Sequence, residues 1–423
     1  MQEQGKEKAL LVGIQPPGVS DDELRESLEE LAELAKTAGI EILGNVVQKR
    51  TRVDRNNYFG KGKIKEVGET AKNLGAGLII ADDELNSLQH RRMEEGIELP
   101  VIDRTSLILE IFSTRASSRE GKLQVELAQL QYSLLRLAGG YFGLSRQRGG
   151  IGLKGPGETK IESDRRELRR RIRLLEEELE KVVQDRHVQR RMRTERYAPL
   201  FALVGYTNAG KSTLLNALSG SETLVHNGLF TTLDPTARRV DLPAGRACIL
   251  SDTVGFIKKL PHGLVKAFRA TLEDVVNSQV LVLVADISNP GIREQVAAVR
   301  QVLQEMNIGP DHRFLLVLNK TDRPHALQPE VLEHEFPGAL IVSAKTGVGL
   351  DALKTRMSLI MDPLFVKVNI LLPANSPLVR ELFTLGTVEK QEWGEEGVLM
   401  TIEVPKKILP KLEPYLRDQN GVE

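Results

Sequence analysis

The chain has a single cysteine among 423 residues, one tryptophan, and aromatics at 4%. One thiol closes no internal disulfide, which excludes a disulfide-stapled secreted scaffold. Cys248 lies in the apolar run Ala247 to Leu250, so a buried core thiol in a reducing compartment is expected. No apolar run reaches the roughly eighteen residues of a membrane span. The opening stretch MQEQGKEKALLVGI lacks the apolar core of a signal peptide, so no membrane span and a cytoplasmic location are expected. An excess of one charge is also missing. With 58 basic residues against 58 acidic, any affinity for nucleic acid must come from a local cluster.

What is present is a strand, loop and helix pattern from Leu200 to Leu218. Leu200 to Val204 reads as a buried strand, and a helix begins near Ser212. Between them, Gly205, Tyr206, Thr207, Asn208, Ala209, Gly210, Lys211 and Ser212 satisfy G-x-x-x-x-G-K-[ST] at every fixed position. Glycines allow successive backbone N–H groups to turn inward around a polyphosphate, and a helix N-terminus adds partial positive charge. Lys211 is expected to reach the β- and γ-phosphates, and the Ser212 hydroxyl to ligate Mg²⁺.

Two later loops choose the base. A strand over Leu315 to Leu318 runs into Asn319, Lys320, Thr321 and Asp322. A carboxylate at Asp322 accepts from N1–H and the 2-amino group of guanine, whereas adenine would leave it unpaired. Asn319 is expected to tie the loop together and the Lys320 stem to cover the base. Ser343, Ala344 and Lys345 follow the apolar run ALIV, in the place that supplies backbone donors to guanine O6.

Two segments are expected to sense the γ-phosphate. Asp252, Thr253, Val254 and Gly255 form D-x-x-G after a strand, with Asp252 holding Mg²⁺ through water and the Gly255 N–H meeting the γ-phosphate. Upstream, Phe230, Thr231, Thr232, Leu233 and Asp234 place adjacent threonines where one completes the Mg²⁺ shell. Loss of the γ-phosphate would release both segments, a two-state switch. After D-x-x-G stands Phe256, whose ring cannot hydrogen-bond an attacking water. Lys211, Thr232 and Gly255 are therefore the expected catalytic set.

Elsewhere the pattern predicts an α/β multidomain chain. In residues 1–115, the runs ALLVGI, IEILGNVVQ, GAGLIIAD and LPVIDR read as strands alternating with helices. Ser20 caps a helix bearing Leu24, Leu28, Leu31 and Leu34. The loop Asn56 to Lys63 has glycines and lysines but not the full phosphate-loop spacing. It reads as a glycine-rich helix start, with a second nucleotide site the weaker alternative.

Residues 116–197 read as an antiparallel helical hairpin. One apolar stripe is Leu123, Leu127, Leu130, Leu134 and Leu137; the other is Ile161, Leu168, Ile172, Leu175, Leu179 and Val182. Eight of the 19 residues from Gly139 to Gly157 at its tip are glycine. From Arg146 to Arg173 ten basic residues face four acidic ones. Bare backbone, Tyr141, Phe142 and cations together suit RNA, with Arg146, Arg148, Gly149, Gly150, Gly152, Lys154, Arg165, Arg166, Arg169 and Arg170 as candidate contacts. The blander alternative is a linker. The nucleotide domain is expected over 198–362 and a small α+β domain over 363–423.

These motifs resemble the translation-factor-related (TRAFAC) GTPases and, more closely, the HflX family of ribosome-associated GTPases. The resemblance rests on GYTNAGKS, LFTTLDPT, DTVGF, NKTD and SAK, and above all on GGIGLKGPGETKIESDRR, Gly149 to Arg166. It implies a P-loop GTPase domain that turns GTP into GDP and phosphate with Mg²⁺. It also implies binding to the large ribosomal subunit and its rRNA, with splitting or rescue of stalled ribosomes. Family members usually carry one switch threonine preceded by alanine. Thr231 takes the alanine-like place here, so the metal falls to Thr232, with Thr231 the lesser choice. A monomer is expected. The competing readings are a GTP-dependent binding switch or assembly factor with negligible turnover, and a coiled-coil adaptor.

Overall fold

The computed structural model describes residues 7–51, 54–139, 156–192, 198–221, 229–230, 236–259, 273–306, 308, 313–325 and 329–417. The chain divides into two compact units. One comprises 1–183 with 227–233 and 257–270; the other comprises 184–226, 234–256 and 271–423.

The first unit begins with a four-stranded parallel sheet of β1 (Lys8–Gln15), β2 (Glu41–Lys49), β3 (Leu78–Ala81) and β4 (Val101–Asp103), in the order β2-β1-β3-β4. Its helices are α1 (Asp21–Thr37), α2 (Lys61–Leu74), α3 (Ser87–Ile97) and α4 (Arg104–Arg115). Side chains alternate across a strand, so β1 feeds two layers. Leu10 and Val12 join Val67, Ala71, Met93 and Ile97 from α2 and α3 in one core. Helix α1 forms because Ser20 and Glu23 make a reciprocal capping box, and Leu24, Leu28, Leu31 and Leu34 bury one face. Gly60 caps α2, and the preceding Tyr58 and Phe59 are buried in the core. The Asn56 to Lys63 loop therefore has the expected helix-start geometry.

Helices α5 (Arg119–Gly139) and α6 (Pro156–Met192) make the hairpin. Leu123, Leu127, Ile172 and Leu175 are its buried seam, extended by Leu130, Leu134, Leu179 and Val182. The ion pairs Arg119–Glu178 at 2.7 Å and Arg171–Glu126 at 2.8 Å fix its direction: one partner advances seven residues while the other retreats seven. The antiparallel expectation holds. Along α6, Arg166, Arg169 and Arg170 are exposed, and Arg165 is half-buried. Arg146, Arg148, Gly149, Gly150, Gly152 and Lys154 lie outside the described residues.

The second unit is built on a six-stranded sheet, β10-β9-β8-β5-β7-β6. Its strands are β5 (Leu200–Gly205), β6 (Thr236–Asp241), β7 (Ala247–Asp252), β8 (Val280–Asp286), β9 (Arg313–Asn319) and β10 (Leu340–Ile341), parallel except for the edge strand β6. Its helices are α7 (Lys211–Ser219), α8 (Glu273–Asn277), α9 (Ile292–Glu305), α10 (Pro329–Glu335) and α11 (Leu350–Ile360). β8 is buried at all positions, as a central parallel strand should be, and Cys248 is fully buried as expected.

An antiparallel sheet follows: β11 (Phe365–Leu372), β12 (Thr387–Gly394) and β13 (Gly397–Pro405), in the order β11-β13-β12, with α12 (Pro377–Leu385) packed on it. Arg246 ties it to the six-stranded sheet, pairing with Glu403 at 2.7 Å and with Asp362. Those carboxylates hold the guanidinium's pKa above its ordinary value. The last helix expected from KKILPKLEPYL is instead two 3₁₀ turns flanking α13 (Leu409–Leu412). Pro410 and Pro414 remove the donors a continuous helix needs. Among the described residues no helix is long and apolar enough to cross a membrane.

Candidate nucleotide site

All described loops of this site belong to the second unit and leave the carboxyl ends of its strands. β5 ends in the glycine loop, and Gly210 caps α7 with φ +91°. The neighbouring chain comes very close here. A Cβ on Gly210 would stand 2.4 Å from Asn319 Nδ2. One on Gly255 would stand 2.8 Å from the Thr207 Cα and 3.0 Å from Lys211 Nζ. Only glycine lets the D-x-x-G backbone lie against the phosphate loop. Thr207 N–H donates to Phe256 O at 2.7 Å, and Phe256 N–H donates to Gly205 O at 3.0 Å, which clips the two loops together. The Phe256 ring is buried in a core with Tyr206 and Val275 and presents no polar group.

Lys211 is 7% exposed and arches back over its own loop, donating to Gly205 O at 3.1 Å and Tyr206 O at 2.9 Å. Burial pulls its pKa down to about 8, Asp252 opposes that shift, and the Lys320 charge adds to it. The Ser212 hydroxyl donates to Asp252 Oδ2 at 2.6 Å, so the two expected metal-side oxygens converge. Thr253 is buried, its hydroxyl donating to Leu203 O at 2.6 Å; Val254 is also buried.

The base-side loops are equally joined. Asn319, 2% exposed, donates from Nδ2 to Ala209 O at 2.9 Å and accepts at Oδ1 from Ala344 N–H at 3.0 Å. One side chain thus bridges the phosphate loop, the NKTD loop and the SAK loop. Thr321 N–H donates to Val342 O at 3.2 Å. Asp322 is exposed, and its Oδ1 accepts from the Ser343 hydroxyl at 2.6 Å, a bond that lowers the carboxyl pKa. Lys345 is exposed. Two acidic residues near these loops carry no signal in the sequence motifs. Asp286 ends β8, with Oδ2 at 2.7 Å from Lys320 Nζ. Asp274 accepts from the buried Ser251 hydroxyl at 2.6 Å. A lone acid after an apolar run shows no periodicity; only its place at a strand's carboxyl end could have marked Asp286.

Phe230 stands in the first unit, buried, its ring edge-on to Phe112 at 4.6 Å between centroids. Thr231, Thr232, Leu233 and Asp234 lie outside the described residues.

The arrangement fits a nucleotide and its metal. The glycine cradle has no room for a Cβ, a buried lysine lies across the loop, and the buried Thr207 hydroxyl has no hydrogen-bond partner among the described residues. A doubly wound sheet, a phosphate loop and an NKTD loop joined to it by one asparagine define a P-loop GTPase.

Comparison with known proteins narrows the class. Residues 200–320 match a family described as a 50S ribosome-binding GTPase; 25–113 match a GTP-binding GTPase N-terminal family, and 115–193 its middle region. The GTPase HflX of Caldanaerobacter subterraneus subsp. tengcongensis is 43% identical over 97% of this chain and 94% of its own. That of Escherichia coli K12 is 40% identical over 97% of both chains. A GTP-binding protein from Sulfolobus solfataricus, solved with GDP, is 23% identical over 85% of this chain and 99% of its own, with a TM-score of 0.42. The chain belongs to the HflX family of GTPases.

Proposed function

We propose that this chain binds GTP with Mg²⁺ and hydrolyses it to GDP and phosphate. In this reading it uses the nucleotide state to control binding to the large ribosomal subunit, where it dissociates or rescues stalled ribosomes. The observation that carries the nucleotide part is Asn319, whose amide joins the phosphate, NKTD and SAK loops. Lys211, which now donates to Gly205 O and Tyr206 O, would donate instead to oxygens of the β- and γ-phosphates. Ser212 and Thr232 would ligate Mg²⁺, with Asp252 holding it through water, and the bound ion would supply positive charge to the phosphates. The Gly255 N–H meets the γ-phosphate. Asp322 accepts from the guanine N1–H and 2-amino group, and Ser343 to Lys345 cover O6.

Phe256 gives no help in orienting water, so turnover is slow in the isolated chain and rises on the ribosome. The ribosomal part draws support from the family matched over 200–320 and from the exposed cations of α6. In this proposal the parts are an N-terminal domain to residue 115, the hairpin to 197, the GTPase domain to 362 and a C-terminal domain beyond. The protein acts as a cytoplasmic monomer. Steady-state phosphate release with and without large subunits tests the reading: slow release accelerated by ribosomes is expected. Fast release indifferent to ribosomes would overturn it.

A further inference from the structure

We infer that Asp286 is a positioning residue for the guanine base, acting by holding the Lys320 stem in place before the nucleotide arrives. The inference rests on the proposal that the NKTD loop takes guanine. Asp286 and Asn319 are the last residues of β8 and β9 and stand opposite each other in parallel register. The Ile287 N–H donates to Asn319 O at 3.0 Å, which locks the two strand ends together. Asp286 Oδ1 is fully engaged by Ser288, through its N–H at 3.0 Å and its hydroxyl at 2.6 Å. That turn fixes the carboxylate plane, with Oδ2 2.7 Å from the buried Lys320 Nζ, a contact made by charge and distance rather than by hydrogen-bond angle.

A turn-capping role accounts for Oδ1 but not for Oδ2. Nor is this an ordinary surface ion pair, because the two side chains are only 12% and 13% exposed. The path of the lysine matters as well. Its backbone is left-handed, φ +68°, a region lysine rarely visits. Its Cε lies 3.9 Å from where a Cβ on Gly210 would stand, so the stem runs beside the phosphate loop rather than out to solvent. A free lysine stem samples many rotamers, and freezing it against a base weakens binding; an anchored ammonium removes most of that cost beforehand.

Asp286→Asn keeps the shape and the Ser288 bonds but removes the charge. In the full chain, labelled GDP should dissociate about three- to tenfold faster from this variant. In a Lys320→Ala background the same substitution should add no further acceleration, since the stem it positions is gone. Asp286→Glu, which keeps the charge, should recover part of the loss. Ser288→Ala, which leaves the carboxylate intact but less firmly oriented, should show a smaller effect with the same dependence on Lys320. Unchanged GDP dissociation in Asp286→Asn, or an equal acceleration with and without Lys320, would overturn the inference. Failure of the unsubstituted chain to hold GDP would instead remove the guanine reading beneath it.

Discussion

The four-stranded and six-stranded sheets of this chain end in opposite chemistry. In each, strand order reverses beside the first strand, so a crevice opens at the carboxyl ends, where open α/β sheets bind ligands. In the second unit β5 ends in a glycine cradle with backbone donors and a buried lysine. In the first, Asp82 and Asp83 follow β3 and Asp103 ends β4. Asp82 is fully buried and is neutralised from two sides, by Arg104 at 2.7 Å and by Lys259 at 2.5 Å; Asp83 takes the same lysine at 2.6 Å and the Tyr58 hydroxyl at 2.7 Å. Desolvation and the neighbouring carboxylate push the Tyr58 pKa up, so it stays a neutral donor. A shared topology therefore does not share a ligand. One crevice offers donors and a cation to a polyphosphate, while the other presents acids already satisfied by the chain's own groups: cations for Asp82 and Asp83, and neutral N–H and O–H donors for Asp103.

The sharpest way to break this contrast is to remove a cation from each sheet. Arg104→Ala leaves Glu30 without its guanidinium and Asp82 with Lys259 still beside it, and should cost up to about 3–5 kcal/mol of stability, read as a loss in thermal or denaturant midpoint. A loss below about 1 kcal/mol would mean that this acidic crevice is not structural. Lys211→Ala should act on the other axis. Turnover should fall by about 10²–10³-fold, in the range seen when one transition-state donor is lost. The fold should persist, because among the described residues Lys211 hydrogen-bonds to carbonyls of its own loop.

Next in size is Asp322→Asn, which turns an acceptor toward donation. GTP affinity should drop by about ten- to a hundredfold, the worth of a hydrogen bond to a charged group, while xanthosine triphosphate binding improves. Equal GTP affinity in the variant would remove Asp322 from the base site. The smallest effects belong to the exposed cations of the hairpin. Arg166→Ala, Arg169→Ala or Arg170→Ala should each weaken binding to large subunits modestly and flatten its salt dependence by about one counterion. Valine at Gly149, Gly150 or Gly152 should impair that binding at every salt concentration and leave GTP hydrolysis by the isolated chain intact. Unaltered ribosome affinity in all of them would make the tip a linker.

Much of this architecture is legible in the amino-acid sequence, and the legible part is the local part. The Ser20 cap, the phosphate loop, the two leucine stripes of the hairpin, and the strands flanking NKTD all depend on spacing within a few residues. What the sequence hides is tertiary. Arg104 meets Asp82 and Glu30 across elements far apart in the chain, and no periodicity announces such a triad. Asp286 looks like any acid closing a strand until the parallel register sets it opposite Asn319. The C-terminal helix departs from expectation for a local reason that apolar spacing masks, two prolines inside a helical pattern.

In the proposed function, a guanine nucleotide at the second sheet governs attachment to the ribosome. Co-sedimentation of the full chain with large subunits tests it most directly, comparing the unsubstituted protein with Asp322→Asn in GDP, GTP, a non-hydrolysable GTP analogue and xanthosine triphosphate. The unsubstituted chain should pellet with subunits in GTP or its analogue and far less in GDP. Asp322→Asn should lose that response to GTP and regain it with xanthosine triphosphate. Equal pelleting of both proteins in every nucleotide would contradict the account, leaving the ribosome bound by a surface that the nucleotide does not control.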